Sequence, residues 1–120
     1  MTGPVEPAVL AARAADAKKG EDVVVLDVGE VLGIVGTFVI ASASNARLVR
    51  AIVEEVETWL REQLGIKPRS VEGLSDASWV LLDFGDLVVH VFLTETREYY
   101  DLERLWADVP QIAWAEAPSA

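Results

Sequence analysis

The chain has no cysteine, and among its 120 residues His90 is the only histidine. Without thiols, the sequence excludes a disulfide framework and any zinc site built on thiolates. It also excludes a cysteine nucleophile. His90 stands in an apolar stretch that is typical of a strand, so it is interpreted as a half-buried histidine with a hydrogen-bond partner, the alternative being a general base. Few residues therefore remain for nucleophilic or acid–base catalysis.

Long hydrophobic runs are also missing. The longest apolar stretch, residues 31–43, is interrupted by two glycines, a threonine and a serine, whereas a bilayer-spanning helix needs about 20 apolar residues. The first residues lack the basic region followed by an apolar one that marks a signal peptide. We therefore expect a cytoplasmic protein.

Positive charge is scarce, with 10 Lys and Arg against 20 Asp and Glu and a net charge of −10. Such a surface repels a phosphate backbone unless the basic residues cluster, and only Lys18 and Lys19 are adjacent. Direct nucleic-acid binding is therefore disfavoured. An acidic protein can still join a nucleoprotein assembly by binding one of its basic proteins.

The hydrophobic content of 52% is enough for a packed core. Apolar periodicity and turn residues predict one domain over residues 1–106, with element order α-β-β-α-β-β-β-α, and a loosely held tail over residues 107–120. The economical arrangement is an α/β (α+β) fold in which helices flank a central mixed sheet. The predicted helices span residues 8–19, a segment from the N-cap Ser44 to Gly65, and residues 95–106. The predicted strands span residues 22–28, 37–43, 69–72, 78–84 and 86–93, with a turn over residues 29–36.

The last predicted helix is rich in aromatic residues. At about 100° per residue, Tyr99, Leu102, Leu105 and Trp106 share one stripe, which we interpret as core. Tyr100 lies about 100° from Tyr99 and should reach the margin of that stripe. Together with Trp79, these side chains belong to the types that dominate protein–protein interfaces. For any one of them, core packing is still the favoured interpretation, and an interface is the alternative.

A nucleotidyl-transfer site is an alternative, because a predicted strand, a serine-containing turn and a predicted helix follow one another in the sequence. That chemistry requires a flexible Gly-Ser turn for the phosphates and two carboxylates at alternate strand positions for Mg²⁺. The turn at residues 41–44 has no glycine, and Asp83 and Asp86 are three residues apart across a turn. The sequence therefore predicts that the chain is not an enzyme. The rival interpretation is a divergent nucleotidyltransferase that uses Asp83 and Asp86.

Several motifs occur together along the chain. They are D-x-K-K-x-x-D over residues 16–22, F-V-I over residues 38–40, D-F-G-D-x-x-x-H-x-F over residues 83–92, and R-x-x-Y-x-L-E-x-L-W over residues 97–106. This combination resembles the ribosomal silencing factor family (RsfS, Iojap) over residues 8–106. The chain departs from the family pattern at Thr37, where many members have Asp, and at Ala43, where many have Gly.

The resemblance implies a translational repressor and no catalytic activity. Such a factor binds a large-subunit ribosomal protein (number fourteen) at the subunit interface and blocks joining of the small subunit. The family fold is a nucleotidyltransferase-like scaffold without catalytic residues, and free members are commonly homodimers. We therefore expect no cofactor and no metal. The expected protein-binding residues lie in the hairpin and the last helix: Trp79, Asp83, Asp86, Tyr100, Leu105 and Trp106.

Overall fold

The computed structural model describes residues 5–29, 33 and 35–115, without the side chains of Val5, Leu102 and Leu105. In these ranges the helices are α1 (Val5–Ala17), α2 (Ala46–Leu64), α3 (Thr94–Tyr100) and α4 (Leu102–Leu105). The strands are β1 (Glu21–Asp27), β2 (Thr37–Ala43), β3 (Ser70–Glu72), β4 (Trp79–Asp83) and β5 (Leu87–Leu93). The turn expected over residues 29–36 falls largely on residues outside this description.

The five strands form one mixed sheet in the order β1-β2-β5-β4-β3. Strands β2 and β5 run parallel at its centre, while every other neighbouring pair is antiparallel. The two central strands are buried over nearly their whole length, which explains their runs of β-branched residues. The predicted mixed sheet with flanking helices is confirmed.

Helices α1 and α2 cover one face of the sheet. Five alanines of α1 are fully buried, and their small side chains let the helix approach its neighbours closely: Ala8, Ala11, Ala12, Ala14 and Ala15. Helix α2 presents an apolar stripe to the same core, as its 3.6-residue spacing predicts. The core between these helices and the sheet includes Val39, Val49, Ile52, Val89 and Val91.

The ends of two helices differ from the prediction. The N-cap of α2 is Asn45 instead of Ser44, because the Asn45 side chain accepts a 2.9 Å hydrogen bond from the Leu48 N–H. Helix α1 ends at Ala17 instead of residue 19. Lys19 adopts a left-handed φ of 63°, and the Gly20 N–H returns to the Ala15 carbonyl.

The single last helix predicted over residues 95–106 is wrong. It is divided in two at Asp101, whose φ of 51° ends α3 before α4 begins. The Asp101 N–H closes α3 onto the carbonyls of Arg97 and Glu98. The helical phase of α3 therefore does not continue into α4, and the stripe drawn through both does not exist.

The described part of the predicted loosely held tail runs along the edge strand β1, and residues 116–120 lie outside the described residues. The Asp27 N–H donates to the Pro110 carbonyl, and the Ile112 N–H donates to the Val25 carbonyl. The Trp114 indole N–H donates to the Val23 carbonyl over 3.1 Å. These bonds hold residues 110–114 against β1. In the described part of the chain, no helix is both long and apolar enough to cross a membrane.

Candidate protein-binding surface

The second face of the sheet, opposite α1 and α2, carries the candidate surface. Side chains alternate between the two faces of a strand, so the strand register places residues of this face in rows across the sheet. The first row joins Trp79, Phe92 and Ser42; the second joins Leu81, His90, Ile40 and Val24; the third joins Asp83, Val88, Phe38 and Leu26.

One buried arginine fixes α3 over the β1–β2 half of this face. Arg97 is only 5% exposed, and its Nη1 donates to the Ser42 hydroxyl (3.2 Å) and to the Glu21 carbonyl (3.4 Å). Its Nε and Nη2 each lie 2.7 Å from a carboxylate oxygen of Glu103 in α4. Arg97 thus ties α3 and α4 to each other and to the sheet. The β4 side of the face stays more open, with Trp79 38% exposed.

Aromatic rings contact one another in a continuous line across this face, which we call the aromatic row. Successive ring centroids are 4.7–5.6 Å apart, except that His90 lies 6.1 Å from Phe92 and 6.2 Å from Trp79. Such spacings are typical of favourable aromatic pairs. The row consists of Tyr99, Tyr100, Trp79, Phe92, His90, Phe38 and Trp106.

The aromatic row is exposed at its α3 end. Tyr99 is 82% exposed, Tyr100 50% and Trp79 38%, whereas Phe92 is buried beneath Trp79. Large apolar side chains that are exposed together and supported by a rigid sheet are characteristic of interaction sites. The exposed end also borders a groove lined by Ser78, Glu95 and Thr96, so a carboxylate lies beside the tyrosines.

Tyr99 corrects the sequence interpretation. We expected this residue in the core, yet it is the most exposed of the large apolar side chains that the structure describes. The break at Asp101 explains the error, because Tyr99 shares no continuous helix with Trp106. Tyr100, expected at the margin of the core, is half-exposed and packs on Trp79.

His90 lies in the middle of the aromatic row and is 9% exposed. Its Nδ1 accepts a 3.2 Å hydrogen bond from the Trp79 indole N–H. Burial lowers the pKa of His90 to about 4, so the imidazole is neutral at pH 7. The strand histidine with a hydrogen-bond partner that the sequence predicted is therefore observed, and a general base exposed to substrate is not.

The two turn aspartates lie at the other end of β5 from α3. The Asp83 carboxylate accepts a 2.8 Å hydrogen bond from the Gly85 N–H within the hairpin turn. The Asp86 carbonyl accepts from the N–H groups of Gly36 and Thr37, at the start of β2. The Asp83 carboxylate therefore stabilises the hairpin turn, and the Asp86 carbonyl connects the turn to the start of β2. Among described residues, no group of three or more potential His, Cys, Asp or Glu metal ligands is found.

The turn carboxylates, which we grouped with the last helix as expected protein-binding residues, do not lie close to α3. Strand β5 separates the turn from α3 by six residue steps, about 20 Å at about 3.3 Å per residue. Trp106, beyond α4, returns towards the turn and packs on Phe38 with ring centroids 5.3 Å apart. The side chain of Leu105 lies outside the described residues. The candidate residues thus span the open face instead of clustering at one edge.

Sequence reasoning missed the residues that hold this surface in place. Arg97 and Glu103 were visible only as members of a motif, and their spacing of six residues gave no sign of an ion pair. Ser42 appeared only within a predicted strand and turn, whereas its hydroxyl donates to the Glu21 carbonyl and accepts from Arg97. Phe38 was read only as part of a strand. Alternation within β2 could have placed Phe38 and Ser42 on the same face.

Comparisons with known proteins give consistent results. A family model described as "Ribosomal silencing factor during starvation" matches residues 4–120. A Bacillus subtilis protein named "Ribosomal silencing factor RsfS" is 41% identical over 101 residues, which cover 84% of this chain and 85% of the relative.

A more distant relative and a solved structure extend the comparison. A mouse protein named "Mitochondrial assembly of ribosomal large subunit protein 1" is 33% identical over 94 residues, covering 74% of this chain and 40% of the relative. A crystal structure of a Chromobacterium violaceum protein superimposes with a TM-score of 0.83 at 33% identity, covering 97% of this chain and 95% of that one.

Proposed function

Because the chain belongs to the ribosomal silencing factor family, we propose that it represses translation by binding a large-subunit ribosomal protein. The proposed partner is ribosomal protein number fourteen at the subunit interface, and the bound factor sterically blocks joining of the small subunit. The proposed site of action is the cytoplasm. The observation that carries the proposal is the exposed end of the aromatic row, formed by Tyr99, Tyr100 and Trp79.

The shape of this surface suits a protein partner. Tyr100 packs on Trp79, and Trp79 packs on the buried Phe92, so the two exposed rings rest on the central sheet. Rings held in this way lose little conformational freedom on binding, which favours affinity. Trp and Tyr are the residue types most enriched among those that dominate binding energy.

Electrostatics add to this argument. The net charge is −10, and exposed carboxylates occur near the aromatic row at Glu95 and Glu98 of α3 and at Asp101. A basic ribosomal protein would be attracted to this surface, which raises the association rate more than the final affinity. Asp83 and Asp86 extend the acidic character to the far end of the open face. The proposed contact set is Trp79, Asp83, Asp86, Tyr100, Leu105 and Trp106.

A binding role also accounts for the chemistry of the surface better than catalysis does. The single histidine is buried and neutral, and Asp83 is engaged in its own turn. We propose that the chain is not an enzyme and needs no cofactor.

The free protein is proposed to be a homodimer. The exposed aromatic side chains leave apolar surface that a second copy would cover, and symmetric dimers are the commonest soluble assemblies. Sedimentation at micromolar concentration should show about twice the chain mass of 13.0 kDa. A single species at the mass of one chain would refute the dimer while leaving the ribosomal role intact.

The test of the ribosomal role is a calorimetric titration of purified ribosomal protein number fourteen with the wild type and with Trp79→Ala. Loss of a central tryptophan typically removes about 2 kcal/mol or more of binding, about thirtyfold in affinity. Trp59→Ala is the matched control, because Trp59 lies on α2 at the opposite face of the sheet. The proposal fails if the wild type does not bind, or if Trp79→Ala binds as tightly as Trp59→Ala.

A further inference from the structure

Two side-chain atoms in the described part of the chain are buried without any hydrogen-bond partner among the described residues: Thr37 Oγ1 and His90 Nε2. They lie on opposite faces of the sheet. Thr37 alternates with Phe38 and therefore faces α1 and α2, whereas His90 belongs to the aromatic row. A buried polar atom without a partner destabilises the folded state and needs an explanation.

The hydrogen bond to Trp79 fixes which nitrogen of His90 carries the proton. Indole N–H can only donate, so Nδ1 must accept and be unprotonated. The imidazole is neutral, which leaves its single proton on Nε2. The unpartnered atom is therefore an N–H donor.

This donor lies close beneath the candidate binding surface. The Phe38 ring stands edge-on to the imidazole with centroids 4.7 Å apart, and Phe38 is only partly buried. Leu81, paired with His90 across the sheet, is also partly exposed. Nε2 is buried, so a partner can reach it only after one of the side chains around it moves.

We propose that His90 Nε2–H is a hydrogen-bond donor reserved for the bound protein, which supplies a carbonyl or carboxylate oxygen at the middle of the aromatic row. This inference rests on the proposed function and adds a specificity-determining residue to it. A partner that places an oxygen there satisfies the donor. A purely apolar partner leaves it unpaired and is rejected by the cost of burying a polar group.

Three substitutions at His90 distinguish the role of Nδ1 from that of Nε2. In His90→Asn, the side-chain amide reaches only the position of Nδ1, so Trp79 keeps an acceptor and the outer donor is lost. In His90→Gln, the amide N–H reaches the position of Nε2 and retains the donor. His90→Phe keeps a ring of similar shape and removes both. Thr37→Val is the matched control, since it deletes the other unpartnered atom on the opposite face.

The experiment measures the affinity of each variant for purified ribosomal protein number fourteen, together with its thermal midpoint. We expect about tenfold weaker binding for His90→Asn and His90→Phe, the effect of one lost hydrogen bond. His90→Gln should stay within about threefold of the wild type, and Thr37→Val should bind unchanged. The thermal midpoint of His90→Phe should fall only by the loss of the Trp79 hydrogen bond to Nδ1, because Nε2 has no internal hydrogen bond to lose.

The contrary outcomes are distinct. If the wild type binds and His90→Asn binds equally well, or if His90→Gln binds as weakly as His90→Asn, the inference is refuted and the proposed function stands. Unchanged affinity of His90→Phe for the partner also refutes it, because that variant has no donor at the position of Nε2. If the wild type does not bind, the proposed function is refuted and the reserved donor with it.

Discussion

Arg97 and Glu103 form an ion pair, and we expect the removal of Glu103 to destabilise the protein more than the removal of Arg97. The Arg97 side chain is 6% exposed and the Glu103 side chain 60% exposed. In Glu103→Ala, the buried guanidinium keeps its charge and loses the acceptor of both Nε and Nη2. In Arg97→Met, the Glu103 carboxylate turns to water, and the Ser42 hydroxyl still donates to the Glu21 carbonyl.

The expected loss in the free energy of unfolding follows from the burial of Arg97 and the exposure of Glu103. Removing one partner of a fully buried pair costs about 3–5 kcal/mol, and an exposed pair contributes about 0.2–1 kcal/mol. With one partner buried and the other exposed, we expect Glu103→Ala to lower the free energy of unfolding by about 2 kcal/mol. Arg97→Met should lower it by about 1 kcal/mol. The double variant should resemble Arg97→Met, because no buried charge is left behind.

Urea denaturation measures these differences by linear extrapolation, provided that the slopes agree between variants. The interaction energy then follows from the double-mutant cycle. Two results would refute the reasoning: Arg97→Met less stable than Glu103→Ala, or losses that simply add in the double variant. Either would mean that the guanidinium is not held as a buried charge by the α4 carboxylate.

Further predictions concern exposure, backbone conformation and protonation. Tyr99→Ala and Tyr100→Ala should both stay folded and lose about 1 kcal/mol or less of the free energy of unfolding, since the side chains are 82% and 50% exposed. Thermal melts measure this, and early melting of Tyr99→Ala would contradict its exposed position. Gly73→Ala should destabilise by about 3 kcal/mol, because φ is 91° and a Cβ would lie 2.2 Å from the carbonyl oxygen of the first residue of β4. Its control is Gly65→Ala, where φ is 69° and the space is open, so urea denaturation should show a loss of only about 1 kcal/mol, and equal losses would contradict the steric argument. Burial lowers the pKa of His90 from 6.5 to about 4, so protonation favours the unfolded chain. The contribution of the neutral imidazole to the free energy of unfolding is complete above pH 6.5 and should fall by about 3 kcal/mol as pH drops to about 4. The difference between wild type and His90→Phe isolates this contribution, and parallel curves from pH 7 to pH 4 would contradict it.

The strands were predictable because their signal is local. The buried pair β2 and β5 consists mainly of β-branched and other apolar residues in runs of strand length, and Gly85 marks the hairpin between β4 and β5. The stripe on α2 was predictable for the same reason, since its residues share one continuous helix. Its end at Gly65 was also predicted, and that residue adopts a left-handed φ of 69°.

The candidate surface was only partly predictable, because distant contacts decide its geometry. The stripe through Tyr99 failed once Asp101 divided the helix, and no local pattern shows that an aspartate will adopt a left-handed conformation. Arg97 and Ser42 are 55 residues apart, so their hydrogen bond depends on the strand order. Trp79 was singled out for its residue type and by the family resemblance. Its contacts with Tyr100 and His90 arise from the packing of α3 on the sheet.

The measurement that tests the central claim most directly is the joining of purified ribosomal subunits, followed by sedimentation through a sucrose gradient. Large subunits are first incubated with a molar excess of the wild type, Trp79→Ala or Trp59→Ala, and small subunits are then added. The wild type and Trp59→Ala should bind the large subunit and reduce the fraction of joined ribosomes, whereas Trp79→Ala should leave joining close to that without factor. Joining that proceeds normally while the wild type remains bound to the large subunit would contradict the account.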